Sequence, residues 1–115
     1  MPIRTKRAYD APKASDGYRV LVDRLWPRGL SKTTLKLDAW MRDISPSTEL
    51  RKWFHHDLTQ WSEFKKRYFR ELKSQPELVK ELKQKAKAGT LTLIYAGKDI
   101  TQNNAVALKE YLERR

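Results

Sequence analysis

Residues 18–32 read Tyr18-Arg19-Val20-Leu21-Val22-Asp23-Arg24-Leu25-Trp26-Pro27-Arg28-Gly29-Leu30-Ser31-Lys32, and the first seven of them decide the fold class. Val20, Leu21 and Val22 are apolar, mostly β-branched and consecutive, so a strand here would bury both faces, as interior strands of parallel sheets do. The turn signal Ser15-Asp16-Gly17 precedes it. The same signal recurs at Thr90 to Ala96 (Thr-Leu-Thr-Leu-Ile-Tyr-Ala), between Gly89 and Gly97, which predicts a second interior strand beside or near the first. Ile3 to Ala8 and Leu37 to Met41 are weaker strand candidates, the former suited to an edge.

Between the two interior strands the apolar residues take up the helical period of 3.6. Pro46-Ser47 opens a helix to about Phe54, with Ser47 as its cap and Leu50, Trp53 and Phe54 inward. Asp57 is a candidate cap for the next helix, in which Trp61, Phe64, Tyr68 and Leu72 recur at spacings of three, four and four. Ser74-Gln75-Pro76 restarts a helix with Leu78, Val79, Leu82 and Ala86 as its apolar stripe, and Gly89 ends it. A terminal helix is predicted from about Thr101 to Glu113, with Ala105, Leu108, Tyr111 and Leu112 inward. Strand, helices, strand, helix is the order of an α/β protein with right-handed crossovers. The expectation is one domain over residues 1–115, a small, largely parallel sheet of about four strands packed with about four helices.

Composition sets the outer limits. In 115 residues, 39% are hydrophobic and 10% aromatic, enough for a core of their own. The mean hydropathy of -0.82 then reflects a charged surface rather than a missing interior. No apolar run approaches the roughly 20 residues that span a bilayer, and the basic first residues lack a following apolar stretch, so a cytoplasmic protein without a membrane partner is expected. The absence of Cys excludes disulfides, thiolate nucleophiles and cysteine-type metal sites. The formal net charge of +11 favours anionic partners: nucleic acid, nucleotides or phosphorylated metabolites. The excess is spread, with 10 basic against 4 acidic groups in residues 1–42, 11 against 7 in 43–88 and 4 against 3 in 89–115. The longest basic run, Lys65-Lys66-Arg67, lies within an amphipathic helix pattern.

In an open α/β sheet, ligands bind beyond the carboxyl ends of the strands, where loops converge and helix amino termini present free N–H groups. If the two interior strands are adjacent and parallel, that rule brings together Asp23, Arg24, Trp26, Arg28 and Gly29 from one loop and Lys98, Asp99 and Asn103 from the other. Arg24 and Arg28 offer planar donor forks matched to phosphate or carboxylate. Gly29 permits close backbone approach, and Trp26 could stack on a base or shield the site. Asp23 and Asp99 are candidate general bases or orienters of a hydroxyl, a metal or a water. His56, beside Asp57, is a third catalytic candidate. No metal site and no cofactor are implied, since Walker, dinucleotide, nucleophile-elbow and zinc motifs are all missing. The preferred expectation is binding of a phosphate-bearing or other anionic small molecule, including a nucleotide, at the ends of strands 18–24 and 90–96. The alternatives are nucleic-acid binding through dispersed basic faces such as Lys65, Lys66, Arg67, Arg70 and Lys73, and a protein-interaction module without catalysis.

Arg19 to Ser31, Ser47 to Phe54, His56-Asp57, the Trp61, Phe64 and Tyr68 pattern, and Leu93-Ile94-Tyr95-Ala96-Gly97-Lys98-Asp99 together closely resemble the YeaO-like proteins, the family called domain of unknown function 488. The resemblance covers nearly the whole chain. It implies a single-domain cytoplasmic α/β protein and no established activity, substrate or catalytic residue. Relatives typically read Ala-Ala or Ser-Ala where this chain has Ala96-Gly97, and commonly carry His where Gln102 stands. More distant members carry cysteines near the positions of Tyr95 and Asn103, so a thiol mechanism does not extend to this chain.

Overall fold

The computed structural model describes residues 2–114. The chain forms β1 (Ile3–Arg7), β2 (Tyr18–Leu21), the one-turn helix α1 (Lys32–Leu35), β3 (Ala39–Trp40), α2 (Thr48–His56), α3 (Trp61–Lys73), α4 (Pro76–Ala88), β4 (Leu91–Tyr95) and α5 (Asn104–Glu113). The four strands make one sheet in the order β1-β4-β2-β3, and every pairing is parallel. The two consecutive-apolar strands are therefore neighbours, with Val20 opposite Leu93 and Leu21 opposite Ile94. Val22 extends that ladder by one bond, from its N–H to the Ile94 carbonyl. β1 lies at one edge, as its sequence suggests, and β3 at the other.

Both faces of the sheet are covered, which is why the strands need no polar alternation. On one face Val20, Leu91 and Leu93 pack with Ile44, Phe64, Tyr68, Leu72, Leu82 and Leu108 in the main core. On the other, Leu21 and Ile94 form a smaller cluster with Ala8 and Leu35, against which Trp26, Leu30, Leu37 and Trp40 pack. The sequence pattern did not predict α1, whose single turn supplies Leu35 to this second cluster.

Ser47 caps α2 through Leu50 N–H, and Pro76 sits in the first turn of α4, both as expected. The cap expected of Asp57 is not made to α3. Its carboxylate instead accepts from Thr59 N–H, the Thr59 hydroxyl and the Gln60 amide just after α2, while Gln60 precedes α3 without a side-chain cap. The physical reason is spacing: a carboxylate reaches N–H groups two or three residues onward, and α3 starts at Trp61. The terminal helix likewise starts later than expected, at Asn104, because Asn103 is its cap.

Candidate functional site

β2 and β4 end side by side, so the loops after them meet, as the parallel arrangement requires. Asp23 joins them. Its Oδ2 accepts from Ala96 N–H at 2.9 Å and its Oδ1 from Asn104 Nδ2 at 2.9 Å, while the same amide donates to the Val22 carbonyl at 3.0 Å. One carboxylate thus ties the end of β2, the end of β4 and the first turn of α5. Burial pushes the Asp23 carboxyl above the ordinary carboxylate value, although the bonds from Asn104 and Ala96 and the charge of Arg51 oppose the shift.

Arg24 turns toward the helical face. It lines a cavity of about 140 Å³ with Asp43, Ile44, Ser45, Ser47, Tyr68 and Glu71. Its Nε is buried and has no hydrogen-bond partner among the described residues, although buried donors nearly always find one. The surrounding polar groups are mostly engaged with one another. Glu71 accepts from Ser47 N–H at 2.8 Å and from the Ser47 hydroxyl at 2.6 Å, and the Tyr68 hydroxyl donates to the Ile44 carbonyl at 2.6 Å. Burial, reinforced by the charges of Glu71 and Asp23, pushes the Tyr68 phenol upward, so it stays a neutral donor.

The other expected residues are distributed differently. Trp26 lies on the opposite side of the sheet, edge-on to Trp40 at 5.3 Å, with its indole N–H donated to the Leu30 carbonyl. The Trp40 indole in turn donates to the Asp23 carbonyl at 2.8 Å. Arg28 is exposed, its carbonyl accepts from the Tyr9 hydroxyl, and it does not line the cavity that Arg24 enters. Gly29 adopts φ 83°, as the third residue of a type II turn does, but no atom lies within 4 Å of where a Cβ would stand, so the turn and not close approach explains the glycine. Lys98 is exposed. Asp99 is also exposed and curls over Gln102 N–H, Thr101 N–H and the Thr101 hydroxyl, bonds that hold its carboxyl below the usual range. Asn103 accepts from Val106 N–H and donates to the Asp99 carbonyl, a helix cap. His56 is exposed at the carboxyl end of α2. Among the described residues, no group of three or more His, Asp or Glu side chains converges on a point that could hold a metal ion.

Asp23 and Arg24 are therefore the only expected residues that meet around the strand ends on the helical side. Asn104, Ser47, Tyr68 and Glu71 complete the arrangement; the sequence marks Ser47 as a cap and Tyr68 as part of an apolar helix stripe, and none of the four as a site residue. The Asn103-Asn104 pair held a readable hint: a helix takes one Asn as its cap, which leaves the other free to bond elsewhere. Ser47 and Glu71, 24 residues apart, offered none.

The model of the family described as "Inactive DUF488-N3 subclade" matches residues 2–115. An Escherichia coli (strain K12) protein named "Uncharacterized protein YeaO" is 49% identical over 112 residues, covering 97% of each chain. Mycobacterial proteins named "Uncharacterized protein Mb3100c" and "Uncharacterized protein Rv3073c", from Mycobacterium bovis (strain ATCC BAA-935 / AF2122/97) and Mycobacterium tuberculosis (strain ATCC 25618 / H37Rv), are each 35% identical over 113 residues, covering 98% of this chain and 95% of theirs. No solved structure matches the chain. With matches that run from end to end, the chain belongs to the YeaO-like DUF488 family, in the subclade described as inactive.

Proposed function

We propose that the protein binds a small molecule carrying one phosphate or carboxylate group, which Arg24 holds in the cavity beside the carboxyl end of β2, and that it does so without turnover. The observation that carries this reading is the unpartnered Nε of Arg24 at that cavity. A buried guanidinium N–H without an acceptor costs free energy that an incoming anion would recover.

Size and charge narrow the ligand. A volume of about 140 Å³ suits an anionic head group, whereas pockets that enclose drug-sized molecules run to roughly 300–1,000 Å³. A nucleotide would therefore seat only a phosphate here. Glu71 and Asp43 also line the cavity, so a ligand with a single anionic group beside a hydroxyl or ammonium donor fits better than a free polyanion. The absence of turnover is supported by the Asp23 carboxylate, whose two oxygens are both committed to Ala96 and Asn104, and by the description of the subclade as inactive.

The test is a thermal-shift and calorimetric screen with inorganic phosphate, sugar phosphates, nucleotides and small amino and hydroxy acids. A hit should weaken at least about tenfold in Arg24→Ala, the scale of one or two charge-assisted hydrogen bonds, and remain unchanged in Arg28→Ala. A hit of equal strength in Arg24→Ala would remove the proposal.

Nucleic-acid binding through α3 is the second reading, supported by the charge of +11. It is the weaker one because Lys65 is paired with Glu110 and Arg67 with Glu63, each at 3.0 Å.

A further inference from the structure

A larger depression lies where the end of α3, one face of α4 and the end of α5 come together. Its volume is about 650 Å³, and Leu72 is the single residue it shares with the Arg24 cavity. The core residues Leu72, Val79 and Leu112 form its apolar floor, and the exposed Pro76 and half-buried Tyr111 give it apolar walls. Lys73, Lys80, Lys83, Lys87 and Arg114 supply cations around that lining, and among the described residues no Asp or Glu contributes to it.

We infer that this groove is a docking site for an acidic amphipathic helix of a partner protein. Charge complementarity argues for that occupant. Lys80, Lys83 and Lys87 lie on one face of α4 at spacings of three and four, and the acidic residues of that helix, Glu77 and Glu81, are not part of the groove. Among the described residues none of the four lysines is in an ion pair. Arg114 lies over the rings of Phe69 and Tyr111, at 5.2 and 5.7 Å. The stretch from Pro76 to Lys87 spans about 16 Å at 1.5 Å per residue, room for three turns of a docked helix. Such a helix places apolar anchors at i, i+3, i+4 and i+7 into the groove and its acidic flanks against the lysines.

The same features weigh against other occupants. A second copy of the chain would bring another +11 against this basic surface. Nucleic acid would satisfy the lysines and leave Pro76 and Tyr111 uncovered, whereas an apolar centre with a charged rim is the anatomy of a protein interface.

The test uses the full chain and a fluorescein-labelled 16-residue peptide with Leu at i, i+3, i+4 and i+7 and Glu at most other positions. Its controls are a peptide of the same composition with the Leu spacing scrambled and a single-stranded DNA 15-mer. The expected result is saturable binding in fluorescence anisotropy that is at least tenfold tighter than for the scrambled peptide and that the DNA does not displace at equal concentration. Binding should fall at least tenfold in the surface variant Lys80→Glu/Lys83→Glu/Lys87→Glu. It should be unchanged in Lys66→Glu/Arg70→Glu, which alters exposed residues outside the groove. Thermal unfolding of both variants establishes that they are folded, and amide shifts should cluster at Val79, Lys83 and Tyr111. No binding, equal affinity for the scrambled peptide, displacement by DNA, or equal loss in the two variants would overturn the proposal.

Discussion

Two aspartates, Asp16 buried and Asp23 half-buried, have opposite pH signatures. Asp16 is 4% exposed and accepts from Lys13 N–H, Lys6 Nζ and Arg19 Nη1. Burial alone would raise its pKa, but these donors outweigh it and hold the carboxyl below its ordinary value of 3.8. A lowered folded pKa means that stability is present above the unfolded value and is lost as pH falls below it. Asp16→Asn should therefore cost about 3 kcal/mol at pH 7, the scale of a broken buried ion pair, and the gap from the unsubstituted chain should close below pH 3.8. Asp23 has a raised folded pKa, so its ionisation opposes folding and its contribution shrinks as pH rises above 3.8. The stability gap between the unsubstituted chain and Asp23→Asn should therefore widen as pH falls. Urea unfolding of both variants at several pH values measures the two trends. Gly17 makes a third residue-scale prediction. It has φ 66°, and a Cβ there would run into the Thr90 backbone. Gly17→Ala should thus destabilise by more than about 2 kcal/mol, combining left-handed strain with that clash. A melting temperature within a degree or two of the original would refute this.

At the scale of elements, α2 depends on Ser47 twice. The hydroxyl accepts from Leu50 N–H and donates to Glu71 of α3. Ser47→Ala should cost about 1–2 kcal/mol by loss of the cap and an unpaired Glu71 oxygen, and denaturant unfolding should show an unchanged slope, since the fold is kept. α3 was the most legible helix in the sequence: Phe64, Tyr68 and Leu72 are buried as their spacing predicts, and Trp61 stacks on Phe64 at 5.6 Å while staying partly exposed. α1 was illegible because a helix of four residues contains too little periodicity to read. Asp57 serves Thr59 and Gln60 instead of α3 for a related reason: sequence identifies a capping residue type, whereas backbone geometry chooses which N–H it serves.

At the scale of the whole molecule, the charge of +11 is divided between cations that are engaged and cations that are not. Arg42 lies over Trp40 at 3.9 Å, Arg67 over Trp53 at 4.1 Å and Lys85 over Tyr18 at 4.6 Å. With many basic groups bound internally, retention on RNA or DNA should be weak and should vanish between low and physiological salt, with few counterions released. A steep dependence of log affinity on log salt, with a slope of several units, would favour the nucleic-acid reading instead.

The apolar runs Val20-Leu21-Val22 and Leu93-Ile94-Tyr95, which do not alternate with polar residues, pointed by themselves to strands covered on both faces, the setting in which parallel sheets occur. The meeting of the loops after β2 and β4 followed from that. Which way each side chain turns after the strand ends was decided only by tertiary structure. One residue of offset sends a side chain to the opposite face of a sheet, and in the loops the packing of Trp26 and Trp40 on one side and of Tyr68 on the other sets the direction. Arg24 thus entered the helical side while Trp26 went to the other, and Asn104 rather than Asn103 reached Asp23. The basic groove between α3, α4 and α5 was also a tertiary outcome, since its residues lie on three helices and converge only once the core has formed.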